Sequence, residues 1–369
     1  MTKIKILHII KSLGRGGAET LLPETLKLHD RDCFDFHYIY FLPWKDQMVD
    51  SLIANGGQVT CLKAGNNILL ILKIRAITRY LKKHNIQLIH AHLPWAGIVA
   101  RIVGRLTGIP IIYTEHNKQE RYHVITRTMN LFTMNWVSHI IAVSEDVAQS
   151  IRRAKPNLKV PLQIILHGVN VYNFSPGLYD GTMIRYALGI PEDAPVIGTM
   201  AVFRFQKRLD LWLEIANKIH DKVSSAHFII VGDGPLKQML LEKSMQLKLG
   251  NKVHFVGLQA EVRPYLAAFD LYMMSSIFEG LPIALLEAMA SGCPVITTDA
   301  GGIREVIRHN VDGLTCDVNE PEKLIQYAID LFDDKAKRRA LGTKGRKRIE
   351  EAFSMDKMVL ELEKLYYAF

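Results

Sequence analysis

The sequence predicts two doubly wound α/β domains in tandem, and two observations carry that prediction. Short apolar runs alternate with segments of helical period along almost all of the 369 residues, the pattern of parallel sheets built from βαβ units. One aperiodic stretch, residues 167–180, holds Gly168, Asn170, Asn173, Pro176, Gly177 and Asp180 and divides the chain near its middle. Each side is long enough for a core of its own.

In the first domain, residues 1–171, strands are predicted at 4–9, 36–41, 58–62, 88–90, 111–114, 140–143 and 163–166. Each is a run of branched or aromatic residues bounded by polar or turn residues. Helices are predicted at 71–84 and 96–106, where apolar residues recur every three or four positions. Another helix opens at Ala18, after the turn Gly14-Arg15-Gly16-Gly17. In the second domain, residues 172–354, strands are predicted at 196–201, 227–231, 253–256, 271–274 and 295–298. Helices are predicted there at 209–219, 236–247, 263–268 and 283–290, with a long helical segment at 322–351 broken near Asp333. A last helix spans 355–367. Ligands of such sheets sit at the carboxyl ends of the strands, so the expected site is a cleft between the two domains.

Composition narrows the classes. An apolar share of 49% with 22% charged residues excludes a disordered chain. No apolar run approaches the ~18–20 residues of a membrane span, and no leader pattern opens the chain, so a cytoplasmic protein is expected. Cys33, Cys61, Cys293 and Cys316 have no paired spacing and read as free thiols, and no CxxC or HExxH pattern suggests a metal. The net charge is +9, and residues 1–171 hold 22 Lys and Arg against 11 Asp and Glu, so all the excess lies in the first domain. Lys73, Arg75, Arg79, Lys82 and Lys83 cluster on one helical segment, and Arg101 and Arg105 share a face of another. The asymmetry points to an anionic partner for that domain alone: a membrane surface or a phosphate-bearing acceptor. A nucleic acid would call for aromatics among the basic residues, and Tyr80 and Tyr122 are thin evidence for that.

Candidate site residues lie at the strand ends. The turn with Gly16 and Gly17 lets backbone N–H groups approach an anion, although it is neither a P-loop nor the dinucleotide GxGxxG pattern. The fourth strand ends in His90-Ala91-His92 and the fifth in Glu115-His116. His92 is the expected functional histidine, with His90 expected to turn away from it. In the second domain Arg204 and Lys207 follow the first strand, as cations suited to a diphosphate. A second turn, Gly232-Asp233-Gly234, follows the next strand, and Ala300-Gly301-Gly302 follows a later one. Between them runs Glu279-Gly280-Leu281-Pro282, with Pro282 as the expected first helical residue and Glu287 inside an apolar helix. A buried carboxylate there needs a partner, and a ribose diol would supply one.

Glu279, seven residues, Glu287, then Gly292-Cys293-Pro294-Val295-Ile296 and Asp299-Ala300-Gly301-Gly302 resemble the retaining glycosyltransferases of the GT-B fold, glycosyltransferase family four or "group one". The resemblance covers nearly the whole chain. It implies two Rossmann-like domains facing across a cleft, with the last helix packing back on the first domain. It also implies a nucleotide-sugar donor (UDP most often), a glycan or lipid-linked acceptor, retention of anomeric configuration, and neither metal nor cofactor. Glu287 would then bind the ribose, and Glu279 the donor sugar. Gly280 and Leu281 would offer backbone N–H groups, and Gly234, Gly301 and Gly302 would line the donor pocket. Lys207 and Arg204 would clamp the diphosphate, Gly16 and Gly17 would close over it, and His92 would sit beside the transferred sugar. Glu305 matches a frequent family position with no role assigned. The family commonly has an arginine five residues before the lysine; Val202 stands there, and Arg204 is the expected substitute. The alternative is a sugar-nucleotide epimerase or phosphorylase on a similar scaffold.

Overall fold

The computed structural model describes residues 3–369. Two compact units divide the chain. One runs to His167 and includes Met355–Phe369, and the other is Gly168–Ser354.

The first unit is built on seven parallel strands: β1 (Ile4–Ile9), β2 (Phe34–Tyr40), β3 (Gln58–Cys61), β4 (Leu88–His92), β5 (Ile111–Glu115), β6 (His139–Ala142) and β7 (Leu162–Ile164). Their order is β3-β2-β1-β4-β5-β6-β7, so the winding reverses at the β1/β4 seam. Strand alternation sends Leu7, Ile9, Ile89, Ala91, Ile111 and Tyr113 to one face, beneath the helices Ile74–His84 and Pro94–Thr107. Ile6, Leu88, Ile112 and Ile141 point to the other. There they meet Leu22 and Leu26 of the helix Gly17–Leu28 and Leu362, Leu365 and Tyr366 of the helix Met355–Tyr366. The last helix of the chain thus completes the core of the first unit.

Two elements differ from expectation. β2 begins two residues early, because Asp35 interrupts the apolar run yet pairs with His37 in the strand (3.4 Å). The segment expected at 71–84 is two helices, Asn67–Ile71 and Ile74–His84. The Asn66 side chain accepts from the Leu69 N–H at 2.9 Å and starts the first of these. A turn at Leu72 and Lys73 then resets the phase, so that Ile77 and Leu81 face the sheet.

The second unit has six parallel strands: β8 (Val196–Met200), β9 (His227–Val231), β10 (Val253–Gly257), β11 (Leu271–Met274), β12 (Val295–Thr298) and β13 (Leu314–Cys316), in the order β10-β9-β8-β11-β12-β13. β13 was not expected; three residues with a central threonine carry too little apolar pattern to read as a strand. The long segment at 322–351 is split at Asp334, whose side chain accepts from the Lys337 N–H at 2.8 Å and opens the helix Lys335–Ala352. Buried Trp212 ties the helix Leu209–Lys222 to β11 by donating from its indole to the Met273 carbonyl at 3.0 Å. Among the described residues no helix is long and apolar enough to cross a membrane.

Gly198, inside β8, lies under the ring of Phe269, and a Cβ there would stand 2.2 Å from ring carbons. Gly198→Ala is therefore expected to destabilise the second unit by about 1–3 kcal/mol through overpacking. Thermal unfolding measures it, and Phe269→Leu in the same chain should recover part of the loss.

Candidate active site

Each sheet reverses its order at one seam, and open α/β sheets bind ligands at the strand ends beside such a seam. In the second unit the seam lies between β8 and β11. After β8 the chain makes one 3₁₀ turn, Phe205–Lys207, and enters its helix through Arg208, held in the left-handed region at φ 47°. The Ser275 hydroxyl, just past β11, donates across the seam to the carbonyls of Lys207 (3.0 Å) and Arg208 (2.9 Å). The Ile277 N–H donates to the Gln206 carbonyl at 2.9 Å. With both backbones held, Lys207 Nζ donates to Glu279 Oε1 at 2.5 Å, and the Ser276 hydroxyl donates to the same oxygen at 2.6 Å. The Lys207 and Glu279 side chains keep 20% and 10% of their surface exposed, enough for a ligand to reach a pair otherwise withdrawn from water.

The helix Ile283–Ala290 continues from Glu279. Pro282, expected as its first residue, is the residue before it (φ −76°, ψ 112°), where its fixed φ fits equally well. Leu285, Leu286, Ala288, Met289 and Ala290 are buried, whereas Ile283, Ala284 and Glu287 form the half-open stripe. Glu287 therefore lies on the one side of this helix that a ligand can reach.

The glycines here have packing reasons of their own. A Cβ on Gly302 would lie 1.8 Å from the Gly280 carbonyl oxygen, because the loops after β11 and β12 touch. Gly301 has φ 62°, and a Cβ on Gly234 would lie 2.6 Å from the Phe203 nitrogen. Leu281 is buried beside them. Arg204 is exposed, and its guanidinium makes no hydrogen bond or ion pair among the described residues. Of the two expected phosphate ligands, only Lys207 is paired with Glu279.

The first unit repeats the arrangement at the β1/β4 seam. Gly16 caps the helix that starts at Gly17. The Ser12 hydroxyl donates to Glu19 Oε1 at 2.8 Å, and a Cβ on Gly16 would lie 2.3 Å from Glu19 Oε2. A carboxylate thus already stands where the positive end of the helix favours an anion. Deeper in, histidines occupy the seam. His8 Nδ1 and His92 Nε2 are 3.0 Å apart, with ring planes inclined by 12°. His92 Nδ1 and His116 Nε2 are 3.3 Å apart.

The expectation that His90 turns away from His92 is wrong. Residues two apart in a strand share a face, and the two rings stack with centroids 4.3 Å apart. His90 is also held on both nitrogens, Nδ1 by the Tyr366 hydroxyl and Nε2 by the Thr114 hydroxyl, each at 2.7 Å. His116, read from sequence as a second strand-end histidine, is brought beside His92, whereas His8 and the Tyr366 hydroxyl were not singled out from sequence. The one signal available was a lone histidine at position 8 within an apolar strand.

Burial and the neighbouring imidazoles keep this array uncharged. His8 is pushed down to about 3, by burial first and then by His29. His90, His92 and His116 lie well below the usual histidine range for the same two reasons. A neutral imidazole has one N–H, so the two bonds of the His8–His92–His116 chain must run in one direction. The chain then ends in one bare nitrogen and one N–H, at His8 Nε2 and His116 Nδ1, both buried without a hydrogen-bond partner. With Leu22, Leu362 and His167 these rings line a cavity with about 30 Å³ of room, about two waters by the usual measure. Ring nitrogens of His8, His90 and His92 lie within 4.8 Å of one another. His8 and His92 face head-on, however, as partners sharing a proton do, and an ion bound by both would need the rings to turn out of that plane.

The strand end beside them is anchored by charge. Glu115 is fully buried and accepts from the hydroxyls of Tyr113 (2.8 Å) and Tyr122 and from the amides of Gln119 (2.6 Å) and Asn130 (3.1 Å). Arg101 is not a surface cation, as its pairing with Arg105 implied. It is wholly buried, donates to Asn130 Oδ1 (2.8 Å) and Thr133 Oγ1 (3.0 Å), and lies over the Tyr113 ring at 4.1 Å.

The sequence pattern of the family "Glycosyl transferases group 1" matches residues 182–348, and that of "Glycosyltransferase Family 4" matches residues 15–172. The chain is 30% identical to an N-acetyl-alpha-D-glucosaminyl L-malate synthase of Bacillus anthracis over 298 residues, 78% of this chain and 76% of that one. It is 25% identical to a UDP-Gal:alpha-D-GlcNAc-diphosphoundecaprenol alpha-1,3-galactosyltransferase of Escherichia coli over 381 residues, 99% and 97% of the two chains. Among solved structures, HepE of Anabaena in complex with UDP-glucose superimposes with a TM-score of 0.89 at 21% identity, covering 99% of this chain and 100% of that one. The fold is GT-B, and the chain belongs to the group 1 glycosyltransferases.

The buried histidines set a pH dependence. Unfolded, they titrate near 6.5; folded, they stay neutral far lower. Below pH 6.5 the unfolded chain binds more protons, so this stability is whole above that value and is lost as pH falls toward 3. The melting temperature should be level above pH ~7 and drop steadily below pH ~6.5; an unchanged value at pH ~5 would contradict the array. Tyr366→Phe strips one bond from buried His90 and should cost about 1–3 kcal/mol.

Proposed function

We propose that this glycosyltransferase moves a sugar from a UDP-sugar to a glycan or lipid-linked acceptor, with retention and without a metal, in cell-surface polysaccharide or glycolipid synthesis in the cytoplasm. The observation that carries the reading is the Lys207–Glu279 pair at the seam of the second sheet. The Escherichia coli relative, whose name gives a UDP-galactose donor and a diphospholipid acceptor, supports the choice of substrates.

The chemistry follows from charge. Breaking the bond from the anomeric carbon to phosphate leaves a nucleoside diphosphate with one more negative charge. Fixed cations and N–H dipoles stabilise it without reorganising. In the free protein Lys207 is held by Glu279. A diphosphate would draw the ammonium toward itself and release the carboxylate to face positive charge growing at the anomeric carbon. The acceptor oxygen bonds to that carbon on the face the phosphate leaves, and its proton passes to a phosphate oxygen. Glu287, on the open stripe of its helix, holds the ribose diol. Gly280 and Leu281 offer N–H groups at the entry to that helix, while Gly234, Gly301 and Gly302 leave room for the donor. To the same donor we assign Arg204, Gly16 and Gly17 at the diphosphate and His92 at the transferred sugar. A phosphate at Gly16 must first displace Glu19. His92 enters with both ring nitrogens engaged by histidines and no charge, so its role is contact and shape rather than proton transfer. The domain of residues 1–171 binds the acceptor and that of residues 172–354 the donor.

The test joins binding and turnover. UDP should raise the melting temperature, and adding UDP-sugar with acceptor should release UDP at a rate indifferent to EDTA. Glu287→Ala should weaken UDP binding. Glu279→Gln should chiefly lower kcat, by ~10²–10³-fold if it acts like other preorganised charge stabilisers. Unchanged kinetics in both variants, or a product of inverted configuration by NMR, would overturn the reading.

A further inference from the structure

The basic excess of the first 171 residues, 22 against 11, has no use within the histidine array. The first unit also exposes large apolar side chains. Trp44 is 59% exposed, Ile68 74% and Leu72 69%. Ile68 and Leu72 lie four residues apart, about one helical turn, and Trp44 lies against the chain that leads into that turn. The Trp44 ring reaches to 3.9 Å from where a Cβ of Gly65 would stand. Two residues on, the short helix Asn67–Ile71 buries only Leu70. Lys11 Nζ donates to Asn67 Oδ1 at 2.8 Å. Lys45 is near enough to join burial, the larger cause, in lowering the Lys11 pKa. Lys45, Lys63 and Arg75 are exposed and flank these residues in the chain, with the exposed acid Asp46 next to Lys45. Lys11, Trp44, Lys45 and Lys63 follow closely on the carboxyl ends of β1, β2 and β3.

We propose that this edge docks on an anionic lipid bilayer, with Trp44, Ile68 and Leu72 entering the boundary between headgroups and acyl chains and Lys45, Lys63 and Arg75 meeting lipid phosphates. Surfaces of this kind bind by apolar burial together with attraction to anionic lipid. Tryptophan favours that boundary because its ring is apolar with one polar N–H. Uncovered apolar side chains this close together mark an interaction site. A second copy of the chain is a poorer occupant, since a two-fold contact would set the same cations against each other. A nucleic acid is poorer still, since Ile68 and Leu72 offer no ring on which a base can stack. The inference rests on the lipid-linked acceptor reading for its purpose but not for its chemistry.

The experiment is co-sedimentation of the full chain with phosphatidylcholine vesicles, with and without phosphatidylglycerol. Binding is expected only with phosphatidylglycerol, weakening as salt shortens the screening length. Ile68→Ser with Leu72→Ser should reduce it at least about tenfold, given the methylenes lost. The same replacement at Tyr186 of the second unit, 83% exposed, should leave it unchanged. Trp44 fluorescence should shift to the blue on vesicles, and Trp44→Phe should remove the shift. Absent binding, binding indifferent to the Ile68 and Leu72 replacements, or a dimer that those replacements dissolve would each overturn the proposal. The melting shift with UDP, measured on the same variants, reports the donor site separately.

Discussion

A parallel sheet that winds outward in both directions from its middle opens a crevice where the direction changes, and this chain has that constraint twice. At each reversal the connections leave the two neighbouring strands on opposite faces, and the strand ends stand uncovered. In the second unit an ion pair drawn from both strands fills the gap, Lys207 after β8 and Glu279 after β11. In the first unit histidines fill it, His8 on β1 and His92 on β4. Much of the surrounding detail follows from keeping these strand ends close. The loops after β11 and β12 touch, so residue 302 has no room for a Cβ, and Ser275 must reach back across the seam.

The two crevices handle burial differently. The second keeps opposite charges together and partly open, an arrangement that a charged ligand can exchange into. The first avoids charge: its imidazoles are too withdrawn from water and too near one another to protonate, and they share protons along a chain instead. Beside it, Glu115 and Arg101 are buried with hydrogen bonds from several sides, which makes the end of β5 a rigid support for His116. Breaking such networks by removing one partner costs more than the bond removed, because the other group stays buried.

Much of this could be read from the residues in order. Strands and helices of strong period were legible, and so was the placing of Lys207 after β8 and of Glu279 after β11, because each follows a run that reads as a strand. What was not legible depends on partners far away in the chain. His8 meets His92 across 84 residues and His90 meets Tyr366 across 276, and no local pattern announces either. Arg101 looked like a surface cation because it lies one turn from Arg105, yet tertiary packing turned its guanidinium onto Tyr113. β13 escaped because three residues hold too little pattern, and the misplaced orientation of His90 was an error of strand parity, open to correction from the sequence itself.

The Tyr366 hydroxyl that closes over His90 belongs to a helix made after the entire second unit. A nascent chain leaving the ribosome must therefore wait, with one face of its first sheet only partly covered, while ~190 further residues are added, about 10–40 s at ordinary elongation rates. For that interval Ile6, Phe36 and Leu88 lack the cover that Leu362 and Leu365 later provide. The later-born lobe, Gly168–Ser354, is by contrast one unbroken stretch of chain, whole before the residues that complete the first are made.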